Sequence, residues 1–319
     1  MKHMLHWGSV FVAIAFAGYF VWFAAQTLDF VVLLQLLSSP LLLAGVILAA
    51  LLYSLIIPIT AWAWKILLDR QGESWKSGPL AKILGLTQLS KYVPGNVLQH
   101  ATRAALSLES GMSGRALIVT VAQETLLAVA ASLLVGSIML LVTPHGVAAL
   151  SDIWSEWLLW LGVAIGACVL VLASVELRPE RLRSHPNRWL RMLSSSGGLP
   201  GPVATFSALG AYTANYLLIG LGLWLVSRTA NFPVELDYTL VTAAFALSWA
   251  LGFLAPGAPG GLGVREGIML LLLHGAASDE ILLAFVLLAR VVTMLGDAFC
   301  FSVGSIVGTR YGRENGGLR

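Results

Sequence analysis

Hydrophobic positions in this chain form unbroken runs, not the one-sided stripes of a helix lying on a soluble core. Six runs, at 8–28, 41–67, 116–142, 157–175, 203–227 and 281–307, read as full spans, since a hydrocarbon core takes about 20 helical residues to cross. Two more apolar stretches are interrupted. The stretch 79–109 breaks at Tyr92-Val93-Pro94-Gly95-Asn96, and 238–274 breaks at Pro256-Gly257-Ala258-Pro259-Gly260-Gly261-Leu262-Gly263. Proline removes a helical donor and collides with the preceding turn, while glycine loosens the backbone, so neither stretch is one continuous helix. Each half of the first is about 14 residues, roughly 21 Å, which falls short of a core of about 30 Å. The pattern predicts two re-entrant hairpins of broken helix beside six spans.

Loop charges constrain the orientation. With the N-terminus and Lys2 in the cytoplasm, the internal segments collect Lys65, Arg70, Lys76, Lys82 and Arg115, then Arg178, Arg181, Arg183, Arg188 and Arg191, and finally Arg310, Arg313 and Arg319. The external segments carry Asp29, Asp152 and Glu156, with Arg228 the clear exception. This matches the positive-inside rule provided both broken stretches enter and leave on the same side. Trp154, Trp157 and Trp160 then fall at the outer interface, and Trp62 and Trp64 near the inner one.

The same reading exposes a repeat. Two spans, a broken hairpin and a further span fill 8–142, and the series recurs in 157–307 with opposite orientation. Gly95 precedes Glu124 by 29 residues and Gly260 precedes Arg290 by 30. Inverted repeats whose broken helices meet near the midplane are a recurrent transporter architecture. The fold expected is an all-α polytopic membrane protein, one membrane domain over 1–319. It is an inverted repeat of about six transmembrane helices plus two re-entrant broken-helix hairpins, with 308–319 as a cytoplasmic tail. The cytoplasmic (inner) membrane is its expected location, with both termini in the cytoplasm.

Composition agrees: 58% of the 319 residues are hydrophobic and 11% charged, against about a quarter charged in soluble domains. The run 8–28 is full length with no clear small-residue cleavage site after it, and reads as a membrane helix rather than a signal peptide. Cys168 and Cys300 both lie in apolar runs and read as small core residues. A net charge of +3 fits basic loops beside anionic lipid, with no nucleic-acid partner implied.

Polar groups at membrane depth are expensive, so each needs a reason. Asn96, Gln99, His100, Arg103 and Ser107 recur every three or four residues and share a helical face, with Lys91 just before the break. Arg265 and Glu266 open the half-helix after the second break. The spans that follow contribute Gln123 and Glu124, then Arg290 and Asp297, seven apart and on one face; Asn215 lies in the fifth span. One reading is that the charges only pin the repeats together, with Glu124 and Asp297 set against Arg290 and Arg103. The other is a binding site, because the charges gather at the breaks and leave one cation over. Half-helix N-termini at Asn96 and Val264 would add partial positive charge at the same depth. Lys91, Asn96, His100, Arg103, Glu124, Arg265, Glu266, Arg290 and Asp297 are therefore the candidate residues for binding a phosphate-bearing lipid headgroup. The glycine-rich segment 259–263 lacks the ending of a nucleotide loop, no metal-ligand spacing occurs, and no catalytic constellation or cofactor is expected.

Lys91-Tyr92-Val93-Pro94-Gly95-Asn96-Val97 with Arg103 and Glu124 resembles the Lys-Tyr-hydrophobic-Pro-Gly segment of the lysylphosphatidylglycerol synthase transmembrane-domain family. The later segment from Pro259 to Gly267 looks like that family's second signature, and the similarity spans roughly 8–310. The resemblance implies a flippase-like membrane domain that moves lipid between leaflets. Members that aminoacylate phosphatidylglycerol carry a soluble synthase domain beside it, for which 319 residues leave no room. Asn96 stands where the family often has a lysine. The function expected is a lipid flippase or transporter, with anionic phospholipid or a polyprenyl or glycolipid phosphate as partner, more a carrier than an enzyme. The alternatives are a membrane-embedded transferase acting on lipid-linked substrates, or a non-catalytic subunit of a cell-envelope biosynthesis complex. A homo-oligomer or a partner enzyme is compatible with either.

Overall fold

The computed structural model describes residues 39–92, 97–143, 201–232, 235–255 and 261–314. The expected spans at 8–28 and 157–175, the centres of both breaks and Asn96 lie outside them. Among the described residues the chain is entirely helical, without strands.

Helix α1 runs Pro40–Ser54 and starts where Ser39 Oγ accepts the Leu42 N–H at 3.4 Å, with proline at the first helical position. It continues as α2, Ile56–Arg70, after a one-residue interruption of the helix at Leu55. Pro58 is the cause: it has no N–H to give the Ser54 carbonyl and its ring crowds that oxygen. The freed carbonyl instead accepts the Cys300 thiol at 3.8 Å. After a loop come α3, Ser77–Leu86, a 3₁₀ turn, Gln88–Tyr92, and α4, Val97–Glu109. In the loop, Glu73 accepts the Ser113 N–H at 3.2 Å and the Trp75 indole N–H at 3.1 Å. Its bonds to Ser113 and then Trp75 hold its carboxyl below the usual carboxylate range.

Ser113 caps α5, Gly114–Val142, and α6 is Pro202–Thr229. The second broken stretch supplies α7, Tyr238–Leu254, and α8, Val264–Leu273; α9 is Asp279–Glu314. Among the described residues four helical segments, Pro40–Arg70, Gly114–Val142, Pro202–Thr229 and Asp279–Ile306, are long and apolar enough to cross a membrane, the shortest of them about 42 Å. The chain is a multi-pass membrane protein. Large apolar side chains such as Leu41, Ile47, Ile118 and Leu271 face outward, as lipid contact requires.

Helix α6 is the hub and packs against α1, α2, α5 and α7. The rest of the packing is reciprocal. Helix α5, which follows the first break, lies on α7, the first half of the second broken stretch; α9, which follows the second break, lies on α3. With lipid tails as apolar as leucine, such contacts rest on close fit and hydrogen bonds. Across α5 and α7, Ser132 Oγ donates to the Ala246 carbonyl at 2.5 Å, and Leu247 fills the space beside Gly136. Across α6 and α1, a Cβ on Gly222 would sit 3.3 Å from Ala49 Cα.

Gly136→Val should therefore wedge α5 from α7, since its Cβ would meet Leu247 Cγ at 2.5 Å. The expected loss is about 1–3 kcal/mol, seen as a lower Tm of the purified protein in detergent. Adding Leu247→Ala should recover part of it, and an unchanged Tm for the single variant would contradict this packing.

Candidate functional site

Residues that flank both breaks line one cavity of about 490 Å³, within the range of small-molecule sites. The 3₁₀ turn and α4 form one side; α7, Gly261 and α8 form the other; α1, α5 and α6 close it behind. Three ion pairs organise the surroundings.

The first joins Lys91 to Asp297 on α9, with Nζ 2.7 Å from the carboxylate. Asp297 is wholly buried. Its Oδ1 also accepts the Tyr53 hydroxyl at 3.0 Å and its Oδ2 the Tyr92 hydroxyl at 2.5 Å. Lys91 donates further to Gln88 Oε1 at 3.1 Å. Three donors converging on one carboxylate make this burial tolerable, because an ion in low dielectric needs both a countercharge and hydrogen bonds.

The second is bidentate. Arg103 on α4 gives Nη1 to Glu124 Oε1 at 3.0 Å and Nη2 to Oε2 at 2.5 Å, the fork geometry in which arginine binds carboxylate most strongly. The guanidinium carbon lies 3.8 Å above the Trp64 ring. Trp64 is fully buried and donates its indole N–H to Thr120 Oγ1 at 2.9 Å. Of the tryptophan pair expected near the inner interface, Trp62 is exposed while Trp64 is a platform for Arg103. Their neighbouring positions put them on different helical faces.

The third pair sets Glu266 against Arg290, 3.3 Å apart. Glu266 also caps its own helix, with Oε2 accepting the Gly263 N–H at 2.7 Å. Gly263 has φ +80°, a left-handed conformation that glycine adopts without strain. The α8 N-terminus, open to an anion on sequence grounds, thus already holds a carboxylate of its own helix. Arg290 lies 5.4 Å from the Tyr92 ring centroid, so Tyr92 touches both Arg290 and Asp297 of α9. Arg290 and Asp297 do share a face, but Asp297 takes Lys91 and Arg290 takes Glu266.

That leaves Arg265. It lines the cavity with no carboxylate partner among the described residues, and its guanidinium lies 5.1 Å from the Phe245 ring. Its stem occupies the space that Cβ atoms on Gly252 and Gly261 would fill. Gln99 and His100 also line the cavity, whereas Ser107 is buried away from it. Asn215 donates to Thr60 Oγ1 at 3.0 Å and braces α6 on α2. Sequence reasoning missed the role of Tyr53, a hydroxyl inside an apolar run, and the wall formed by Trp249 and Phe253, whose rings stack at 5.4 Å. Among the described residues no three His, Cys, Asp or Glu side chains gather as metal ligands.

Asp297→Leu should leave Lys91 as a partly buried, uncompensated cation and cost about 3–5 kcal/mol, measured as lost resistance to thermal or detergent unfolding. Adding Lys91→Met should restore much of that loss. Comparison with curated proteins gives no match. The family described as Lysylphosphatidylglycerol synthase TM region matches residues 10–298, which takes in all three ion pairs, the cavity and both break motifs. The chain belongs to that family.

Proposed function

We propose that this protein is a lipid flippase or lipid transporter that receives a phosphate-bearing headgroup in the cavity between its two broken stretches. The observation that carries this reading is Arg265: a cation held by its stem, stacked on an aromatic ring and without a carboxylate partner among the described residues, on the wall of a cavity at the breaks. Arginine presents a planar fork suited to phosphate oxygens. Trp249, Phe253 and Ile219 give the same cavity an apolar wall for the glycerol and first methylenes.

The membrane arrangement proposed with it is an inverted repeat over 8–142 and 157–307, with 79–109 and 238–274 as re-entrant hairpins inserted from opposite sides. The reciprocal packing of α5 on α7 and α9 on α3 supports it, as do the two pairs that tie each second half-helix to the next span, Arg103 with Glu124 and Glu266 with Arg290. The distribution of Lys and Arg supports the cytoplasmic membrane, with both termini inside.

Proteoliposomes of purified protein containing fluorescent phosphatidylglycerol test the function. Lipid of the inner leaflet should become accessible to a membrane-impermeant quencher faster than in protein-free vesicles. Arg265→Gln and Gly252→Val, which removes or displaces the guanidinium, should each slow this about tenfold or more, a loss of about 1.4 kcal/mol or more in transition-state stabilisation. Covalent modification of the lipid when a donor is added would instead favour the transferase reading, and activity only with a second protein the subunit reading.

A further inference from the structure

Resting on that reading of the cavity, we infer that the site selects lipids whose headgroup is net anionic and discriminates against the cationic, lysine-esterified phosphatidylglycerol that gives the family its name. The charges on the page set this preference. Glu124 has both oxygens on the Arg103 fork. Asp297, behind the wall, is bonded to Lys91, Tyr53 and Tyr92. Glu266 is divided between Arg290 and the Gly263 N–H. Among the described residues no carboxylate near the cavity is left to receive an ammonium group, while Arg265 supplies a cation.

A lysyl ester carries two ammonium groups against one phosphate at neutral pH. Its phosphate can meet Arg265, but its ammonium groups would then lie near that guanidinium, near Arg103 and near Lys91, where like charges in a partly desolvated space repel. To pair with Glu124 they would have to displace a bidentate, largely buried arginine, with side-chain exposures of 8% and 13% for the two partners. Opening a buried pair leaves one charge uncompensated, and the ligand contacts would have to make up that loss. Phosphatidylglycerol brings the phosphate alone. Its hydroxyls suit the uncharged polar lining of Gln88, Gln99, Thr87 and Thr125. His100 stands on the same wall beside Arg103 and Glu124 and adds a further positive charge only when protonated, so acidification strengthens the anion preference and does not reverse it.

Binding separates this from transport. The full-length protein, in detergent with an excess of equal parts phosphatidylglycerol and lysyl-phosphatidylglycerol of matched acyl chains, is examined by native mass spectrometry for the lipid retained. Phosphatidylglycerol should be kept over the lysyl ester by about tenfold or more. Arg265→Lys should preserve the order, Arg265→Gln should flatten it, and Arg265→Glu should shift it towards the lysyl ester. Equal retention of both lipids by the native protein, a preference for the lysyl ester, or an Arg265→Glu ratio equal to the native one overturns the inference while leaving lipid binding intact. Retention of neither lipid overturns this inference and the proposed function together.

Discussion

Everything else in this structure depends on neutralising charge where water is scarce. A multi-pass membrane protein with Lys91, Arg103, Glu124, Glu266, Arg290 and Asp297 near its breaks is stable only if each has an opposite partner and enough hydrogen bonds. The Asp297 carboxylate shows how strict this is: it is wholly buried and takes donors from the 3₁₀ turn and from α1. Position 91 and position 297 thereby lock the edge of one broken stretch to the span following the other. The remaining pairs tie α4 to α5 and α8 to α9. Once these are satisfied, the geometry of the cavity follows, because its walls are the helices the pairs hold.

Much of this was legible in the sequence. The cost of burying charge marks Lys91, Arg103, Glu124, Arg290 and Asp297, and the chemistry of proline and glycine marks both interruptions. That one cation would be left over was a matter of counting, and Arg265 is that cation. The pairing scheme was not legible. Asp297 meets a lysine 206 residues away, a choice settled by how helices pack. Glu266, adjacent to Arg265 in sequence, closes on its own helix and on Arg290, since adjacent helical positions point in different directions. Tyr53 and Trp64 were hidden for another reason. Inside an apolar run an aromatic residue reads as lipid contact or core, and nothing in the run shows that its polar atom has a partner.

The glycines near the cavity act through what they lack. Gly252 and Gly261 leave room for the stem of Arg265, so a long and otherwise mobile side chain crosses a shallow channel before reaching the wall. An arginine confined in this way loses less freedom when it meets a ligand oxygen, so more of the contact energy is available for affinity. The stacked Trp249 and Phe253 provide rigid apolar surface on the same wall.

The crossed packing of the broken stretches has a mechanical consequence. Because α3 rests on α9 and α7 rests on α5, each stretch is gripped by the span that follows its counterpart. A swing of α1–α5 as a unit against α6–α9 would shear each broken stretch off the span it rests on, breaking the Ser132 bond to Ala246 or the Lys91 bond to Asp297. Motion that keeps those bonds must instead carry each broken stretch with the span it rests on. Two crossed levers of that kind, hinged on α6, would tilt together or not at all.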